Sequence, residues 1–118
     1  MSAMRANAVS VDVSKVLADF KNFQVETQKR VKAEINKSAL RIQRRAKERC
    51  PVDTGRLRAS IQLKSYNNGL TMTVGTIVKY APYVEFGTYR AHAQPFLFPA
   101  AEEERPVLER EIKGAIEP

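Results

Sequence analysis

Cysteine, histidine and glycine are scarce in this chain, and each scarcity removes a class of chemistry. The one cysteine, Cys50, has no second thiol to bridge to and no base beside it. It reads as a reduced, unreactive thiol near a helix end. The one histidine, His92, lies in the polar run Arg90-Ala91-His92-Ala93-Gln94. No pattern there supplies a nucleophile or an orienting partner, so it reads as a surface residue and not as a general base. One His and one Cys fall short of a zinc site. The five glycines are scattered and build no phosphate-binding loop. No apolar run approaches the roughly 20 residues of a membrane span, so no membrane contact is expected. The opening residues 1–5 carry no apolar segment of the signal-peptide kind, so none is expected. Internal repeats and low-complexity tracts are also lacking.

Charge of one sign is present in excess, and it sits in one place. Residues 29–49 hold nine Lys/Arg (Lys29, Arg30, Lys32, Lys37, Arg41, Arg44, Arg45, Lys47 and Arg49) against Glu34 and Glu48. That excess equals the net charge of the whole 118-residue chain, +7, so the remainder balances to zero. Such a balance suits polyanions, acidic protein faces or the interior of an assembly. With 43% apolar residues the chain has enough for a modest core and one domain. Residues 1–13 are expected to be a flexible N-terminus or a short strand, from the alternation of Val9, Val11 and Val13. Residues 14–118 are expected to form a single α+β domain.

From Lys15 to Arg49 there is no proline or glycine. Ser14 is a candidate N-cap. Val16, Leu17, Phe20 and Phe23 make a first apolar face. Val31, Ile35, Ala39, Ile42 and Ala46 make a second, at helical spacing. The polar Thr27 and Gln28 between them predict a break within 22–27. The later segment is a helix of about 25 residues, or roughly 38 Å. A compact chain of this size is only about 35 Å across, so the helix is expected to span or overshoot its own domain, which favours an oligomer. Cys50-Pro51 ends it. Pro51-Val52-Asp53-Thr54-Gly55 reads as a turn in which Asp53 or Thr54 caps a short helical turn through Leu57.

Ile61 and Leu63, then Leu70, Met72 and Val74, alternate with polar residues around Asn68-Gly69, the strongest short hairpin signal. Leu63 should then face Val74. Gly75 marks a bulge or close approach, and residues 76–78 extend the second strand. YAPYVEFGT (80–88) reads as a compact turn or one-turn helix pinned by buried rings. Glu85 lies among those rings, and a buried carboxylate should meet a cation, Arg56 or Arg58. Residues 89–94 read as an exposed loop. Pro95-Phe96-Leu97-Phe98-Pro99 leads into a final helix with Leu108, Ile112 and Ile116 on one face. The acids of 102–111 are expected on its solvated side, and Pro106 should kink or delay it. The fold class is α+β: a long N-terminal helix and a shorter C-terminal helix packed on a small antiparallel β-sheet built round a hairpin.

Three blocks stand in one order: PVDTGRLRASI at 51–61, YAPYVEFGT at 80–88 and QPFLFPA at 94–100. Preceded by a basic helix and followed by an acidic one, they closely resemble the tail-component family of long-tailed phages named after gene product ten of phage HK-ninety-seven, over roughly residues 14–116. Pro51, Asp53, Thr54, Gly55, Leu57 and Ser60 match the first signature. Tyr80, Ala81, Glu85, Phe86, Gly87 and Thr88 match the second, and Pro95, Phe96, Leu97, Pro99 and Ala100 the third. Their residue types suit fold-defining turns and anchors. The resemblance implies a structural virion protein, a neck, tail-completion or connector subunit at the head–tail junction or tail end, assembled in the host cytoplasm. It implies a homo-oligomeric ring, typically hexameric, beside head-closure, tail-terminator or tail-tube proteins, with no enzyme activity and no cofactor. Lys37, Arg41, Arg44 and Arg45 are the candidate surface facing an acidic partner or, non-specifically, packaged DNA. The alternative is a nucleic-acid-binding module using the basic helix 29–49 directly. Against it, there is no helix-turn-helix pattern and Pro51 ends the helix in a turn.

Overall fold

The structure is a computed structural model, and it describes residues 7–12, 22–51 and 55–116. Strand β1 (Asn7–Asp12) is followed by helix α1 (Val25–Arg49), the short helix α2 (Arg56–Ala59), strands β2 (Gln62–Tyr66) and β3 (Thr71–Thr76), the short helix α3 (Ala81–Phe86) and helix α4 (Phe98–Ile116). The architecture is α+β. Expectations for Val13, Ser14, Val16, Leu17, Phe20, Val52, Asp53 and Thr54 lie outside the described residues.

α1 forms where the apolar stripe repeats at 4, 4, 3 and 4 residues, and that stripe is what it buries: Val31, Ile35, Ala39, Ile42 and Ala46. Each fully buried Val or Ile stabilises the fold by about 1.5–3 kcal/mol relative to exposure. The expected break falls just before Val25, where the Gln28 side-chain amide donates to the Phe23 carbonyl at 3.0 Å. At the other end Cys50 turns extended (ψ 128°), as a residue before proline must. The molecule measures 52 × 28 × 22 Å. A helix of about 38 Å is longer than either of the two shorter dimensions and falls within the longest.

The sheet is antiparallel with order β1-β3-β2. Leu63 pairs with Val74, the register expected from Asn68-Gly69. In that turn Asn68 and Gly69 both have positive φ and Asn67 O accepts the Leu70 N–H at 3.1 Å, as a type I′ turn requires. β3 is buried along its whole length. Gly75 is a close approach and not a bulge: a Cβ there would lie 2.6 Å from the Asn7 carbonyl oxygen and 2.7 Å from Ala8 Cβ. The strand stops at Thr76, short of Ile77 and Val78. Val78 N–H instead bonds the Thr76 hydroxyl at 3.1 Å, and that local bond takes the backbone out of the ladder.

α1 packs between the sheet and α4. Phe96, Leu97, Ala100, Ile112 and Ala115 close the core from the C-terminal side, with Leu108 and Ile116 partly buried against it. Pro106 neither shortens nor delays α4, which runs unbroken for 19 residues. Proline removes one donor and displaces the carbonyl four residues back, here that of Glu102. Glu102 is exposed, so water can satisfy that group.

Candidate functional site

The three sequence blocks surround one end of the sheet. In the first, Pro51 follows the end of α1, Gly55 precedes α2, and Leu57 is buried in the core. The Ser60 hydroxyl donates to the Leu57 carbonyl at 2.6 Å and lies 2.6 Å from the Thr76 hydroxyl, tying α2 to the end of β3.

The second and third blocks meet through Glu85, which is only 2% exposed. Its carboxylate accepts the backbone N–H groups of Leu97 (3.0 Å), Phe98 (3.3 Å) and Phe96 (3.4 Å), and the Asn7 side-chain amide (3.1 Å). Neither Arg56 nor Arg58 is its partner, which corrects the sequence expectation. The burial is satisfied by the orphan donors at the start of α4, where a negative charge also suits the helix dipole. Backbone donors carry no residue-type signature, so nothing in the sequence could have named them. Around this clamp Phe96 and Leu97 are fully buried, Ala100 is buried, Pro99 is half-buried and Pro95 is exposed. Gly87 N–H caps α3 through the Tyr83 carbonyl at 2.8 Å. The Thr88 hydroxyl accepts from Arg90 and Ala91 N–H.

The rings of the second block are not buried pins. Tyr83 is 63% exposed, Phe86 64% and Tyr89 90%, and Tyr80 is also exposed. On α3 the side facing in carries Ala81 and Glu85, and the rings take the opposite side. The signal was present in the spacing: Ile77, Tyr80, Tyr83, Phe86 and Tyr89 recur every third residue. The Arg56 guanidinium lies 5.8 Å from the Tyr80 ring centroid, and the Phe86 and Phe98 rings stand 5.5 Å apart.

The four candidate basic residues divide. Arg41 Nε bonds both oxygens of Glu104, at 2.5 and 3.0 Å, and Glu104 is buried. Arg45 lies 3.7 Å from Glu103, which Arg49 also engages. Those cations face α4. Lys37 and Arg44 face solvent and, among the described residues, pair along α1 with Glu34 (3.5 Å) and Glu48 (3.9 Å). Arg44, Lys47, Glu48 and Arg58 line an open groove of about 390 Å³, and Lys47 and Arg58 were not anticipated there. The burial of Glu104 was also not anticipated, because it stands in a run of three like residues. His92 is exposed. Cys50 is buried, and burial pushes its thiol pKa up, with Arg58 opposing and Glu85 adding to the rise. Among the described residues no cluster of His, Cys, Asp or Glu could hold a metal ion, and no helix is long and apolar enough to cross a membrane.

A family model described as "Bacteriophage HK97-gp10, putative tail-component" matches residues 14–87, which is more than half of the chain. The chain belongs to the HK97-gp10-like family. The match takes in α1, the hairpin and α3 with Glu85, and ends at Gly87, so the third block lies beyond it. Membership in the HK97-gp10-like family makes this a structural component of a bacteriophage tail, and thus of the virion. No curated protein and no solved structure matches.

Proposed function

We propose that this tail component forms a ring at the head–tail junction or tail end of a long-tailed phage, acting as a neck, tail-completion or connector subunit without catalysis. The observation that carries the reading is the family match over residues 14–87, which spans the structural centre of the fold. The build of the protein supports it. Its conspicuous features are surfaces: an aromatic face at α3 and a basic side of α1 bearing the exposed Lys37 and Arg44 and the half-buried Lys47. Identical subunits in a six-fold ring would use the first to meet one another and the second to face an acidic neighbour or, non-specifically, packaged DNA. Head-closure, tail-terminator and tail-tube proteins are the neighbours such a ring would stack on. Direct use of the basic helix as a DNA reader is the weaker reading, because Arg41 and Arg45 are engaged by α4 carboxylates.

The test is a phage carrying a nonsense mutation in this gene. The expected result is DNA-filled heads and tails that accumulate unjoined, or tails of defective ends, with infectivity restored by supplying the protein. Normal, infectious particles lacking the protein would refute the role.

A further inference from the structure

The sheet order β1-β3-β2 leaves β1 paired on one side only. Four successive residues of it, Ala8 to Val11, line a cleft of about 480 Å³. Successive side chains of a strand point to opposite faces. A wall built of four in a row is therefore the strand's open edge, with its unpaired N–H and C=O groups, and not one of its faces. The opposite wall is α4, through Phe98, Ala101 and Leu108, and the floor is α1, through Ser38 and Ile42.

A mismatch of widths opens the cleft. Packed helices stand about 8–10 Å apart and paired strands about 4.7–4.9 Å. Two helices side by side thus underlie about four strands, and among the described residues this sheet has three. α4 rests on α1 and makes no substantial contact with any described strand. The place for a further strand is beside β1 and over α4. Its lining is unfinished: Phe98 is exposed, Ala101 and Leu108 are half-buried, and the buried Ser38 hydroxyl has no hydrogen-bond partner among the described residues.

The edge is also unguarded. Open edges are ordinarily blunted by a lysine, a proline or a bulge. β1 pairs with β3 over six successive residues without a bulge, and residues 7–11 hold no charge and no proline. β2, the other open edge, carries Lys64. The charges around the cleft are already matched: Arg41 bonds Glu104, and Arg105 stands 3.8 Å from Glu102. A charged occupant gains nothing there, so the occupant is neutral along this stretch. It is also a single strand. A second sheet brought edge to edge would carry its own helices into the layer that α4 already fills. That counts against β2 of another copy, which has α1 packed on it.

We propose that this cleft takes a lone, uncharged extended arm of another tail protein as a fourth strand beside β1. The arm's backbone pairs with Ala8–Val11, the mode of strand addition to an open sheet edge. Its alternate side chains point inward, apolar ones onto Ile42, Ala101 and Leu108 and one small hydroxyl onto Ser38. The slot is the same whether or not copies of this chain close into a ring.

The probe is a short capped peptide alternating threonine with valine, with serine at the central inward place, titrated into the full chain and followed by NMR. The expected result is a Kd at or below about 1 mM, with resonance changes and slowed amide exchange at Ala8–Val11. Methylating the peptide's backbone nitrogens keeps its side chains but removes its donors, and should weaken binding at least about tenfold. Ala101→Arg narrows the slot from the α4 wall and should weaken binding as much, with an unchanged melting curve to confirm folding. The methylated peptide decides the matter on the wild type even if that variant does not fold. No binding at about 1 mM, equal binding of the methylated peptide, or changes confined to residues away from β1 each overturns the inference. So does self-association of the wild type that protects the same amides, because a second copy then fills the slot.

Discussion

Glu85 gathers four donors from two distant parts of the chain, β1 and the start of α4. Three of the four meet Oε1 and one meets Oε2. Glu85→Gln keeps an acceptor for the first three but turns an amide donor on the Phe98 N–H. A loss of about 1–2 kcal/mol is expected, whereas Glu85→Ala strands every donor and should cost about 3 kcal/mol or more. Urea unfolding of the two variants checks both. Cys50 carries the pH signature of the fold. Its thiol pKa is raised by burial, so the folded value exceeds the unfolded one. The buried thiol therefore contributes stability that is fully present below the unfolded value, about 8.5, and is lost as pH climbs through the folded value. Unfolding free energy should fall on that alkaline side, and Cys50→Ala should remove this part of the slope.

Two glutamates side by side on α4 separate two kinds of ion pair. Glu104 is buried against Arg41, whereas Glu103 is exposed beside Arg45 and Arg49. Glu104→Ala leaves the Arg41 guanidinium, whose Nη2 is already buried without a partner, with no counter-charge. It should cost about 3–5 kcal/mol. Glu103→Ala should cost less than about 1 kcal/mol. Chemical denaturation of the pair decides whether α4 is held to α1 by charge as well as by Ile112 and Ala115. α1 and the hairpin were legible in sequence because periodic burial and Asn-Gly turn chemistry act locally and leave a residue-level trace. The aromatic side of α3 was misread, because ring type argues for burial and only the three-residue spacing argues otherwise. The partners of Glu85 and the burial of Glu104 were not legible. Both depend on how α4 lies across the rest of the fold, which no local pattern records.

At the scale of the molecule the +7 charge is partly spent within the fold, since Arg41, Arg45 and Arg49 meet α4. Lys29, Lys37 and Arg44 remain exposed to solvent on α1. Binding of purified protein to duplex DNA should therefore be weak and without sequence preference, with log K falling against log salt at a slope of about −3. Salt-resistant, sequence-selective binding would instead favour a DNA-reading module. The most direct measurement is a cryo-EM reconstruction of the phage particle with this chain fitted to the density. The account predicts six copies closed into one ring at the head–tail junction or tail end. A single copy, or no density for the chain anywhere in the tail, would contradict it.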